Sequence, residues 1–155
     1  MKNIHDWLDE YGESHQNAIN KLIHWICVPL IVWSIIGLLW SIPNVDFLRN
    51  SGLNWALVAI TLSVGYYFFL SPALGVSMLI FLYGSSYLIS YVEQSSELYP
   101  LWGISLVVFV VAWIGQFYGH KVEGKKPSFL KDVQFLLIGP MWLMSAVYRK
   151  LGIKY

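Results

Sequence analysis

The stretch Gln116-Phe117-Tyr118-Gly119-His120-Lys121-Val122-Glu123 closes a long apolar run, and three polar groups enter the chain there together. Residues three and four apart are neighbours on a helix, so Gln116, His120 and Glu123 fall in one stripe at the end of a membrane helix. Polar groups at membrane depth are costly and call for partners. The comparable stretch lies near the start, from Tyr11 to Pro29, and carries His15, Asn17, Asn20 and His24. The two stretches are expected to meet at a membrane surface and to hold a metal.

Composition sets the surroundings. Hydrophobic residues make up 57% of the 155 and charged residues 12%, against about 45–50% and about 25% in ordinary globular chains. The chain reads as one membrane-embedded domain, residues 1–155, in contact with the lipid bilayer. A net charge of +1 cannot furnish a basic face able to neutralise many phosphates, so nucleic acid is excluded as a partner. The single cysteine, Cys27, cannot form an internal disulfide and reads as a small buried apolar residue. Residues 1–11 contain Asp6, Asp9 and Glu10 and no apolar core, so no cleavable signal is expected and the N-terminal segment stays on the cytoplasmic side.

Working outward, Ile4, Trp7, Leu8 and Tyr11 recur at helical spacing among acids, the pattern of an amphipathic helix lying along the headgroups. No formal charge occurs from Leu22 to Val45, and about 20 apolar residues cross a bilayer core. A first span is placed at Trp25 to Ser41, with Pro29 in its first turns. The uncharged run Asn50 to Val92 is long enough for two spans, Asn54 to Leu70 and Ala73 to Tyr91, broken at Ser71-Pro72 because proline disfavours helix in the residue before it. Leu98 to His120 forms a fourth. The apolar stretch from Val133 to Tyr148, interrupted by Gly139-Pro140, is shorter and reads as interfacial or re-entrant.

The fold class is therefore all-α and polytopic, with four transmembrane helices, an N-terminal amphipathic helix and a C-terminal interfacial segment. Four crossings with both termini cytoplasmic put Lys2, Lys21, Lys121, Lys125, Lys126, Lys131, Arg149, Lys150 and Lys154 inside and only Arg49 outside, as the positive-inside rule asks. That topology also brings the start of the first span and the end of the fourth to one face.

Asn17, Asn20 and His24 share a helical face, whereas His15, nine residues before His24, points to the opposite side of a straight helix. Either the chain bends between them or the two histidines do not bind one metal. Imidazoles with a carboxylate and open positions suit non-haem iron or zinc, with the amides of Asn17, Asn20 and Gln116 orienting the rings. Glu123 reads equally as a ligand, as an acceptor behind the ligands, or as a solvated partner of Lys121 and Lys126. Four histidines are too few for the membrane di-iron hydroxylases and desaturases. His5 reads as an interfacial residue.

The spacing Tyr11-x3-His15-x-Asn17-x2-Asn20-x3-His24-x4-Pro29, followed much later by Gln116-Phe117-x-Gly119-His120-x2-Glu123-x3-Pro127, resembles the small membrane-protein family typified by the fungal 2-hydroxy fatty acid dioxygenase of phytosphingosine breakdown. The resemblance covers nearly the whole chain. It implies an enzyme of the endoplasmic reticulum, or of a bacterial inner membrane, that uses Fe(II) and O2 to shorten a 2-hydroxy fatty acid by one carbon. It also implies His15, His24 and His120 as iron ligands, with Glu123 beside them, and so a bend between His15 and His24. Two readings from other classes stay open: a zinc-dependent hydrolase of a lipid amide or ester, and a non-catalytic membrane protein whose His and Asn cluster closes a helix interface. The sequence leaves homo-oligomer formation open as well.

Overall fold

Two asparagines start the first two helices. The side chain of Asn3 accepts from the backbone N–H of Asp6 while Asp6 accepts from that of Asn3, a reciprocal cap that opens α1, Ile4–Gly12. Asn17 accepts from Ile19 N–H at 2.8 Å and opens α2, Ala18–Trp40. Because of that cap α2 begins seven residues before the expected start at Trp25, and Pro29 lies inside it. This computed structural model describes residues 2–126 and 134–155; Pro127, Lys131 and Val133 of the sequence reading lie outside the described residues.

The remaining described elements are α3 (Asp46–Asn50), α4 (Trp55–Leu70), α5 (Pro72–Ser95), α6 (Leu101–Glu123) and α7 (Phe135–Leu151). All are helical, as composition implied. The hairpin between α4 and α5 turns at Ser71-Pro72: Ser71 is extended, caps Leu74 N–H, and Pro72 occupies the first turn of α5, where its missing donor costs least. Gly124, at φ 73°, ends α6 in the left-handed region that glycine adopts without strain.

Among the described residues three helices, α2, α5 and α6, are long and apolar enough to cross a membrane. The expected second span, α4, has 16 residues, which is about 24 Å of helix against about 30 Å of hydrocarbon. The expectation for α7 changes more. Gly139-Pro140 does not interrupt it, and one helix runs through both residues. Phe135, Ile138, Met141 and Trp142 are buried, and this packing holds the helix against a proline cost of about 3 kcal/mol. The partner is α1, whose apolar face lies on α7 rather than among headgroups: Trp7 meets Phe135 edge-on at 5.5 Å and Tyr11 meets Trp142 at 5.5 Å between centroids.

The axis of the fold is the antiparallel pair of α2 and α6. Gly119 faces Asn20, Gly115 faces Cys27 and Gly37 faces Ser105, so numbers rise along one helix as they fall along the other. Small residues permit that approach: a Cβ on Gly115 would lie 2.7 Å from Cys27 Sγ, and one on Gly119 would collide with Asn20 Oδ1. His24 and His120 reach the same end of the pair as a result. Gly119→Ala is expected to push α6 off α2 and to destabilise the protein by about 1–3 kcal/mol, the usual cost of overpacking. Thermal unfolding in detergent micelles measures it, with Gly65→Ala, which meets nothing within 4 Å, as the control that stays near wild type.

Candidate metal centre

The chain breaks between the two N-terminal histidines. His15 sits in the link between α1 and α2, fully buried, and His24 nearly two turns into α2 is fully buried too. Nδ1 of His15 lies 2.6 Å from Tyr11 O, and Nδ1 of His24 lies 2.9 Å from Asn20 O. A carbonyl oxygen only accepts, so each Nδ1 carries the proton and each neutral ring keeps a bare lone pair on Nε2. Those two Nε2 atoms are 2.9 Å apart. At that distance the pair either shares a proton, one ring then being charged, or directs both lone pairs at one bound cation.

His120 completes the group. Its ring is 4.9 Å from those of both other histidines, and one ligand atom from each of the three lies within 4.8 Å of the others. Nδ1 of His120 is buried without a hydrogen-bond partner, an orphan of the kind a buried polar atom rarely tolerates. Nitrogens bound at right angles to one metal at about 2.1 Å stand about 3 Å apart, close to the His15–His24 separation. The three imidazoles thus fit a divalent cation. Burial, reinforced by the neighbouring His24, pushes the His15 imidazole down to about 3, which keeps its lone pair available at neutral pH. The Tyr11 ring covers it, stacked at 4.2 Å and 7°.

Glu123 performs a different task from the ligand role the sequence left open. Its carboxylate accepts from Gln16 N–H at 2.8 Å, Asn17 N–H at 2.8 Å and Asn20 Nδ2 at 3.0 Å, tying the link that carries His15 to the last turn of α6. Asn20 also donates to Ser14 O at 3.1 Å. Asn17 is turned to the cap of α2 and its side chain touches no imidazole in the hydrogen bonds described. Gln116, buried, hydrogen-bonds His24 through its side chain and lines a small chamber with His15, His120, Trp113, Val28 and Ile31. Lys125 donates to Glu13 O at 2.6 Å, a second tie on the same link. His5 is exposed, its ring against Tyr155 at 5.5 Å, and takes no part in the cluster.

Sequence reasoning missed Trp142, whose ring stands 5.3 Å from that of His15. No local pattern announces it, since the contact joins opposite ends of the chain. Tyr11 could have been found: it stands one helical turn before His15 and appears in the quoted spacing.

Residues 1–151 match the profile of a family described as 2-hydroxy-palmitic acid dioxygenase Mpo1-like. The chain belongs to the Mpo1-like family. It is 28% identical to the 2-hydroxy-palmitic acid dioxygenase MPO1 of Saccharomyces cerevisiae over 155 aligned positions, which cover 98% of this chain and 83% of the yeast protein. No solved structure matches. The three clustered histidines all lie within the part that the Mpo1-like profile covers.

Two outcomes follow from the geometry. The His15 pKa lies lower folded, at about 3, than the roughly 6.5 of an unfolded chain. The unfolded state therefore binds more protons between these values, and stability is full above about pH 6.5 and falls as the pH is lowered toward 3. Unfolding of chelator-treated protein from pH 8 downward is expected to show that decline, reduced in His15→Gln. Glu123→Gln turns an amide donor toward backbone N–H groups that need an acceptor. It is expected to cost about 1–2 kcal/mol and to raise hydrogen exchange in residues 13–17 above the rest of the chain.

Proposed function

We propose that this protein is an Fe(II)- and O2-dependent dioxygenase that shortens 2-hydroxy fatty acids by one carbon, with His15, His24 and His120 as the iron ligands. The observation that carries the reading is the pair of committed Nδ1–H groups, which leave two Nε2 lone pairs 2.9 Å apart beside the orphaned His120 Nδ1. Membership of the Mpo1-like family and the name of the yeast relative support the substrate class.

Iron bound there supplies the activation of O2. The stoichiometry needs nothing further: the bond between C1 and C2 breaks, C1 leaves as CO2, C2 becomes the new carboxyl carbon, and one water forms. Those changes use the four electrons that O2 accepts, so neither a reductase nor a 2-oxo acid is required. The protein's own groups set the conditions. Tyr11 and Trp142 flank His15 and keep water from it, which strengthens every electrostatic interaction inside. Gln116, in the chamber wall, is placed to hold the substrate's carboxylate or 2-hydroxyl. His120 also borders an exposed cleft with Lys121, Lys125 and Lys126, whose charge draws a carboxylate from the headgroup layer. This reading includes four membrane crossings by α2, α4, α5 and α6 with both termini cytoplasmic, which leaves one basic residue, Arg49, on the far side and puts the cluster at the cytoplasmic surface.

The test is O2 uptake by detergent-purified protein reconstituted anaerobically with Fe(II). Uptake is expected with 2-hydroxypalmitic acid and absent with palmitic acid, and the product is pentadecanoic acid. His24→Ala and His120→Ala are each expected to lose bound iron and at least about a hundredfold in turnover, the scale seen when metal-site partners are removed. Hydrolysis of a lipid amide or ester by a zinc-loaded, O2-free sample, or full turnover by His120→Ala, would overturn the proposal.

A further inference from the structure

The chamber at the histidines is too small for a lipid. Its volume is about 40 Å³, room for about three water-sized groups at about 10–15 Å³ each. It accommodates a carboxylate and a hydroxyl and no alkyl chain. An apolar cavity of about 390 Å³ stands beside it, and Val32 and Leu136 line both spaces. Its size lies within the usual range of small-molecule sites, about 300–1,000 Å³.

We infer that this cavity, between α2, α4 and the start of α7, receives the alkyl tail of the 2-hydroxy acid, and that Ala59 and Ser63 set the longest tail it takes. The inference rests on the function proposed above for the identity of the head group. Direction along the cavity follows from the helices that frame it. Val32 is eight residues beyond His24 and Leu39 fifteen, so the wall on α2 runs from about 12 Å to about 22 Å past the histidine. On α4, Tyr67 marks the near end, since its hydroxyl donates to Leu137 O on α7 at 3.1 Å. The opposite end of α4 lies near Pro43, whose carbonyl accepts from Trp55 Nε1 at 3.3 Å. Ser63 is thus midway and Ala59 deeper, one turn apart on the same face.

The chemistry of the walls suits one occupant. Ile36, Ile60 and Leu82 are buried, the Tyr67 hydroxyl donates to Leu137 O, and Ser63 and Gln134 are the other polar side chains in a wall that is otherwise apolar. A tail arriving from lipid gains little hydrophobic free energy, because hydrocarbon surrounds it on both sides of the transfer. Selection therefore works through length and shape. The tail fits when its head group reaches the imidazoles before its end meets the floor near Leu39 and Ala59. Small side chains at positions 59 and 63 are what keep that floor distant.

The experiment has a catalytic arm and a binding arm. In the first, kcat/KM is measured for 2-hydroxypalmitic and 2-hydroxyoctanoic acids. Ala59→Phe is expected to lower the value for the longer acid by at least about tenfold, the scale on which a pocket discriminates a misplaced methylene, while the shorter acid is turned over as by wild type. Ser63→Phe shifts the cut-off to a still shorter acid. In the second arm, wild-type protein is irradiated with a long-chain 2-hydroxy acid carrying a diazirine near its far end, and labelled peptides are identified by mass spectrometry. Label within residues 32–39 and 59–67, displaced by unlabelled 2-hydroxypalmitic acid, supports the tail site even if the wild type turns nothing over, a result that would sink the dioxygenase reading alone. Label spread over the lipid-facing residues of α6 and not displaced, or an Ala59→Phe enzyme with an unchanged length profile, overturns the inference.

Discussion

Glu123 stands in the last turn of α6 and accepts three hydrogen bonds from residues more than a hundred positions earlier. Two of the donors are the backbone N–H groups of Gln16 and of the helix cap Asn17, just ahead of α2. The same carboxylate therefore holds the cap of one helix and closes the link that carries His15. Were it absent, the link would keep the Lys125–Glu13 tie but lose the one that fixes residues 16 and 17, and His15 would be held less closely against His24 and His120. The glycines of α6 make the contact close enough for the carboxylate to reach, since Gly119 leaves Asn20 the room to donate to Glu123.

Behind that tie two of the imidazoles are held by backbone carbonyls, and His24 by the Gln116 side chain as well. Tyr11 O and Asn20 O each fix one ring through Nδ1, and both carbonyls lie four residues before the histidine they hold. The sequence reading assigned this orienting task to the amides of Asn17, Asn20 and Gln116. In the structure Asn17 is a helix cap, Asn20 acts through its carbonyl on His24 and through its amide on Ser14 and Glu123, and Gln116 keeps the expected role through a side-chain hydrogen bond to His24. For His24 the helix supplies the carbonyl at the right spacing, whereas for His15 the turn after α1 brings its ring back onto Tyr11 O.

The placement of the site at one end of the helices joins two unlike surroundings. On one side lies a basic, exposed cleft, and on the other an apolar cavity that opens between α2 and α4. The proposed 2-hydroxy acid, with a charged head and a long tail, would meet both, with the histidines at the junction. Burial keeps the His15 imidazole neutral, and a neutral imidazole is the form that binds a metal.

Much of this was legible in the chain itself. Uncharged runs and turn residues located α4, α5 and α6 to within a few residues and the end of α2, though not its start, because a bilayer imposes length and polarity on each segment independently of its neighbours. The polar stripes around His24 and His120 were visible for the same reason, since polar groups stand out where lipid is expected. What the sequence could not decide was whether His15 joins them: its spacing from His24 argued against a shared site on a straight helix, and only the break at residues 13–17, closed from α6 by Glu123, turns its ring inward. The packing of α1 on α7, the passage of α7 through Pro140, and Trp142 beside His15 were likewise decided by tertiary structure, because each depends on contacts between the two ends of the chain. Local pattern determined which residues were available to the site, and the long-range hydrogen bonds and close helix packing determined which of them meet.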